Sequence, residues 1–125
     1  MSHDPLADLN STRQQIRDGR ADAAQRLRGC LDIAQAPACD RVFLHTMFDA
    51  ARKAATDPHA RWLPLAGLAV SVKDLFDIAG QVTTAGSLTR AGDAPAQRDC
   101  PAVARLRAAG GVIIGRTNMT EFAFS

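Results

Sequence analysis

Lys73 closes an apolar run, Leu65 to Val72, and Lys53 is the only other lysine among fifteen basic residues. The chain uses arginine wherever it needs ordinary positive charge. Arginine cannot accept a proton near neutral pH. A lysine can, once burial or positive neighbours bring its pKa from about 10.4 to about 7–8. Asp74 is next in sequence, but on a strand it faces the other way and need not hold Lys73 charged. Ser71, two residues earlier, shares the face of Lys73, and a Ser–Lys pair is a nucleophile–base arrangement. Side chains at i and i+2 on a strand stand about 7 Å apart, too far for a direct hydrogen bond. Ser71 therefore reads as a packing residue.

Thr83-Thr84-Ala85-Gly86-Ser87 gathers hydroxyls and a glycine in one long loop. Such a stretch serves either a site or a series of Thr/Ser turns. Gly110, Gly115, Arg116 and Thr117 mimic a phosphate loop with Arg in the lysine position. The context is wrong: a phosphate loop follows a strand and opens a helix. Here a helix precedes Gly110 and the loop interior, Val112-Ile113-Ile114, is itself strand-like. Cys30, Cys39 and Cys100 form no C-x-x-C and no ligand spacing with the three histidines. They read as free thiols of a reducing, cytoplasmic compartment.

The elements that must position these residues fall in two parts. The first sixty residues read as three helices. Ser11 and Gln14 form a capping box for the first, which Gly19 ends. Leu27, Cys30, Leu31 and Ala34 make the apolar stripe of a second, from about Ala21 to Ala36. Asp40 caps a third, with Leu44, Met47, Phe48 and Ala51 as its stripe. From Trp62 the pattern changes. A buried strand over Leu65–Val72 ends at Lys73-Asp74. A long irregular stretch follows, then a helix capped by Asp99 with Pro101 in its first turn and stopped at Gly110-Gly111. Val112–Ile114 is a second strand, parallel to the first, and one more helix starts near Met119.

With 46% apolar and 22% charged residues, the 125-residue chain is no disordered segment. A net charge of +2 carries no nucleic-acid signal. No apolar run approaches the length of a membrane span. Met1-Ser2-His3-Asp4-Pro5 lacks the basic and apolar regions of a signal peptide.

Two segments together carry a resemblance. One runs from Pro64 to Gly80, P-L-A-G-L-A-V-S-V-K-D-L-F-D-I-A-G, into Thr83-Thr84-Ala85-Gly86-Ser87. The other runs from Val103 to Ala123, V-A-R-L-R-A-A-G-G-V-I-I-G-R-T-N-M-T-E-F-A. In order and spacing they resemble the amidase signature family, which includes bacterial amidases and the A subunit of the aspartyl/glutamyl-tRNA amidotransferase. The match is dense over residues 62–125 and loose over 10–60.

The resemblance implies an α/β fold: an N-terminal helical segment over 1–60, then the start of the α/β amidase core over 61–125, with strands of a mixed sheet. It implies hydrolysis of carboxamide C–N bonds by a Ser–cisSer–Lys triad, with Lys73 as the base, a small-molecule amide as substrate and no cofactor or metal. The amidotransferase branch would add partner subunits. Asn118, Met119, Glu121 and Phe122 match a segment that runs beside the family's active site, as substrate pocket or as structural support. Glu121 is the only glutamate, which suits a specific task such as holding backbone in a turn. Both family serines lie in a Gly/Ser-rich stretch downstream of that segment, and no such stretch occurs in these 125 residues. The expectation is therefore an N-terminal fragment carrying one third of the triad and inactive alone. A non-catalytic binding or structural module is the rival reading.

Overall fold

In the computed structural model, residues 7–124 are described, so the N-terminal reading of Met1 to Pro5 lies outside the described residues. The first helix, α1, spans Leu9–Arg17. Its cap is Asp8, whose carboxylate accepts from the Ser11 amide at 2.7 Å. Ser11, the expected cap, instead sits in the first turn. A carboxylate outcompetes a hydroxyl here because it also favours the helix's positive end. Helix α2, Ala23–Ala34, is capped by Asp22 through the Ala24 and Gln25 amides. Of its expected stripe, Leu27 and Leu31 are buried while Cys30 is exposed.

The expected third helix is corrected. Phe43–Thr46 is a strand, β1, and only Phe48–Ala54 is helical, α3. Leu44, Met47, Phe48 and Ala51 fit helical spacing, but β3, Val112–Thr117, offers an open edge that β1 fills. Met47 N–H donates to Ile114 C=O at 2.8 Å, carrying the pairing to the point where α3 begins. Leu44 accordingly points outward, 49% exposed, rather than into a helix stripe.

Strand β2 is Ala69–Lys73 and pairs in parallel with β3, while β1 pairs with β3 antiparallel, giving the order β1-β3-β2. The sheet is mixed, with the long-range parallel pair that the apolar runs predicted. Leu65 and Ala66 belong to a turn before β2 and not to the strand: Leu65 N–H reaches Ala109 C=O and Gly67 N–H reaches Gly110 C=O. Both sheet faces are covered, as a parallel pair requires. Leu27, Leu31, Ala51, Val112 and Ile114 pack on one face; Val72, Ile78, Val103 and Ile113 pack on the other.

Helix α4, Pro101–Ala108, supplies Val103. Its cap position is Cys100, not Asp99, and no side chain caps it. Asp99 instead accepts from the Ala79 amide at 2.8 Å and pairs with Arg107 at 2.9 Å. Gly110, at φ +87°, turns the chain from α4 toward β3; a Cβ there would sit 2.8 Å from Leu63 Cβ. Gly115, Arg116 and Thr117 all lie within β3, so the phosphate-loop pattern is a strand. The helix expected near Met119 is a single 3-10 turn, Glu121–Ala123, interrupted by Phe122 at φ 50°.

Candidate functional site

Strand alternation decides what surrounds Lys73. Val72 and Asp74 point into the protein, while Ser71 and Lys73 are exposed on the opposite face. Among the described residues Lys73 forms no ion pair. Its backbone is nonetheless tightly held. Lys73 pairs with Thr117 of β3, and Lys73 C=O accepts from the Leu75 and Phe76 amides at 2.6 and 3.2 Å. Asp74 N–H donates to Thr117 C=O at 3.1 Å.

Asp74 is completely buried and is the hub of this region. Its carboxylate accepts from Thr84 N–H at 3.1 Å, from the Thr84 hydroxyl and from Gly86 N–H at 2.9 Å. Arg116, itself buried, donates Nη1–H to Asp74 at 3.1 Å and to Phe76 C=O at 3.0 Å, and Nε–H to Gln81 at 3.2 Å. Burial alone would raise the Asp74 pKa. The Thr84 and Gly86 hydrogen bonds and the Arg116 charge outweigh burial and hold it below its ordinary value. Both carboxylate oxygens are thus hydrogen-bonded, whereas the buried Arg116 Nη2 has no hydrogen-bond partner among the described residues.

The Thr83–Ser87 loop, left undecided by its sequence, is thus folded around a carboxylate. Its far side meets the segment after β3. Buried Ser87 donates its hydroxyl to the Glu121 carboxylate. Phe122 N–H donates to Ala85 C=O at 2.8 Å. At Gly86, φ +70°, an added Cβ would lie 2.6 Å from Met119 C=O. Asn118 Oδ1 accepts from Met119 N–H at 2.8 Å, and Asn118 N–H donates to Val42 C=O at 2.9 Å. Ala85, Phe122 and Ala123 also hold positive φ, at 52°, 50° and 59°. Such conformations cost about 1–3 kcal/mol each and persist only where neighbours enforce them.

The structure therefore places Met119, Glu121 and Phe122 directly against the 85–87 loop, with Asn118 bridging to the chain just before β1. Lys73 lies one strand away, joined to them through Thr117 and through Asp74. Ser71 stands beside Lys73 without a hydrogen bond to it. The sequence offered Thr84 only within an undecided loop and Arg116 only within a discounted phosphate-loop pattern, and treated Asp74 as a neighbour to be turned away; their pairing was missed. The signal that could have found them is an arginine inside the apolar run Val112–Thr117, because a buried guanidinium demands a carboxylate partner. Among the described residues, no group of three or more His, Cys, Asp or Glu is gathered to hold a metal, and no helix is long and apolar enough to cross a membrane.

Sequence and fold both match a known family. The family model described as Amidase matches residues 27–125. An amidase of Pseudomonas putida is 38% identical over 122 residues, covering 93% of this chain and 26% of the relative. The A subunit of the glutamyl-tRNA(Gln) amidotransferase of Salinispora tropica is 42% identical over 116 residues, covering 86% of this chain and 23% of the relative. Among solved structures, one from a vestigial protein complex bearing on the origins of an s-triazine catabolic enzyme superposes with a TM-score of 0.83. It is 34% identical, over 93% of this chain and 27% of that one. The chain spans about a quarter of the length of these relatives.

Proposed function

This chain belongs to the amidase family, and from that premise we propose that it contributes the lysine base, Lys73, to cleavage of a carboxamide C–N bond. The observation that carries the reading is the placement of Lys73 at the carboxyl end of β2: side chain exposed, free of any ion pair among the described residues, and turned away from Asp74. Among the described residues no carboxylate competes for the Lys73 amino group.

In the reaction, neutral Lys73 takes a proton, through a bridging serine, from a nucleophilic serine that attacks the amide carbonyl. The tetrahedral intermediate collapses, the proton passes to the departing nitrogen, and water releases the acyl group. Both serines belong to the family's Gly/Ser-rich stretch, which these 125 residues do not contain. On this reading the chain by itself is inactive, and the substrate of the complete reaction is a small amide. Asn118, Met119, Glu121 and Phe122 shape the wall beside that site, with Glu121 in a supporting role through Ser87. A second reading, the A subunit of an amidotransferase working with partner subunits, is supported by the 42% identity to the Salinispora tropica protein.

Two measurements test the proposal. The purified chain is expected to release no ammonia from simple amides above background; turnover that disappears in Lys73→Ala would overturn its inactivity. Residues 7–124 are then grafted in place of the matching segment of the Pseudomonas putida amidase. The chimera is expected to hydrolyse amide, and Lys73→Ala within it to lose at least about 10³-fold in kcat. A chimera equally active with Ala at position 73 refutes the role of Lys73. Glutamine-dependent turnover of the chimera with no hydrolysis of other amides would favour the second reading.

A further inference from the structure

We propose that Asp74 is the positioning residue for Lys73, acting through the backbone by locking the Thr83–Ser87 loop and β3 against the end of β2. This assignment rests on the reading of Lys73 as the base. It gives a function to the neighbour that faces the other way.

A base works only if its Cα is fixed to within a fraction of an ångström, because proton transfer requires hydrogen-bond contact. Lys73 is the last residue of β2, and an exposed strand end frays unless something holds it. Its own side chain supplies no hold. Asp74 does, in three directions at once. Its amide ties to Thr117 of β3, its carboxylate ties to the Thr84 and Gly86 amides, and Arg116 closes the ring by bonding both Asp74 and the Phe76 carbonyl. The loop so held is also clasped to the 119–122 segment through Ser87–Glu121 and Ala85–Phe122. One carboxylate thus orders the strand end, the loop and the post-β3 segment together.

The arrangement also separates two tasks that a single exposed lysine cannot combine. Lys73 must stay free of a counter-ion to be deprotonated, yet its backbone needs charge-assisted anchoring. Placing the carboxylate one residue on, across the pleat, gives the anchoring without the counter-ion.

Hydrogen exchange followed by NMR on the full 125-residue chain tests this without any turnover, so its result stands whether or not Lys73 proves to be the base. In Asp74→Asn, protection at the Thr84 and Gly86 amides is expected to fall about tenfold. The Asp74, Leu75 and Phe122 amides should fall with them, while Ala51 and Leu31, in the other core, stay unchanged. The carboxylate's signature is the pH profile. In the wild type these same amides lose protection together on acidification below about pH 4, and in Asp74→Asn that step is absent. The charged groups around it are Arg116 on β3, Asp77 held by the Thr83 hydroxyl, Glu121 held by Ser87, and Lys73 across the pleat. Only Asp74 meets Thr84 and Gly86. Loss at Thr84 and Gly86 with Asp74 and Leu75 unmoved overturns the proposal, since Asp74 would then hold only its loop. So does a wild-type profile without the acid step. If Asp74→Asn also loses protection at Ala51, Thr84→Val decides. About threefold loss at Gly86, Asp74 and Leu75 supports the proposal, and no change at Asp74 and Leu75 refutes it.

Discussion

The Ser87 hydroxyl, almost fully buried, donates to the carboxylate of Glu121, joining the long loop after β2 to the segment after β3 across 34 residues of sequence. The same hydroxyl oxygen lies 2.8 Å from the Thr89 hydroxyl. It also accepts from the Thr89 amide at 3.4 Å, so Ser87→Ala removes three contacts and strands one carboxylate oxygen at the rim of the protein. Because Glu121 is exposed, water replaces part of the loss, and destabilisation of about 1 kcal/mol is expected. Urea midpoints of Ser87→Ala and Glu121→Gln measure it, and similar losses in both, without addition in the double variant, identify the shared bond.

Two glycine-to-alanine changes should differ in sign. At Gly86 an alanine Cβ meets the Met119 carbonyl at 2.6 Å in a backbone of φ +70°, and neither side can yield without breaking the clasp. A loss of about 2 kcal/mol or more is expected. Gly29 lies inside α2 with nothing within 4 Å of an added Cβ, so Gly29→Ala should gain about 0.5–1 kcal/mol. Thermal unfolding of the two variants compares them directly.

Acid stability should follow Asp74. Burial pushes its pKa up, but the Thr84 and Gly86 donors and Arg116 outweigh burial, so the folded value lies below the ordinary 3.8. A folded pKa lower than the unfolded one means stabilisation that is fully present above about pH 4 and is lost as pH falls through the folded value. Urea unfolding between about pH 7 and pH 2.5 should show this loss in the wild type and a flatter acid limb in Asp74→Asn. Asp8 and Asp18 also titrate low, through Ser11 and through Arg20 and Gln14. They contribute equally to both proteins and cancel in the difference.

Leu31→Ala should be strongly destabilising. Leu31 is 1% exposed and packs with Leu27, Ala51, Val112 and Ile114. Lost transfer energy plus an unfilled cavity predict about 2–5 kcal/mol. Chemical denaturation should show this loss, whereas Ile33→Ala, at a side chain 63% exposed on the same helix, should change stability by less than about 0.5 kcal/mol.

Elements whose signals are local could be read from the order of residues. The apolar runs marked β2 and β3, Leu27 and Leu31 marked the buried face of α2, Gly110 marked the exit from α4, and two long motifs marked the amidase family. Period and punctuation suffice for these because each element meets its requirements within a few residues. Other features depend on long-range closure. β1 carries a helical spacing of apolar residues and became a strand only because the free edge of β3 accepted its backbone hydrogen bonds. Asp99 resembles a helix cap and instead serves Ala79 and Arg107. The candidate site shows the same division: Lys73 stands out in the sequence as a lysine in an arginine-rich chain, and the structure puts it at the end of β2. The contacts of Asp74 do not stand out in the sequence, because its partners, Thr84, Gly86 and Arg116, are ten, twelve and forty-two positions away. A carboxylate's pKa and holding power come from the donors that surround it, and those donors are brought together only when the sheet and the loop close around it.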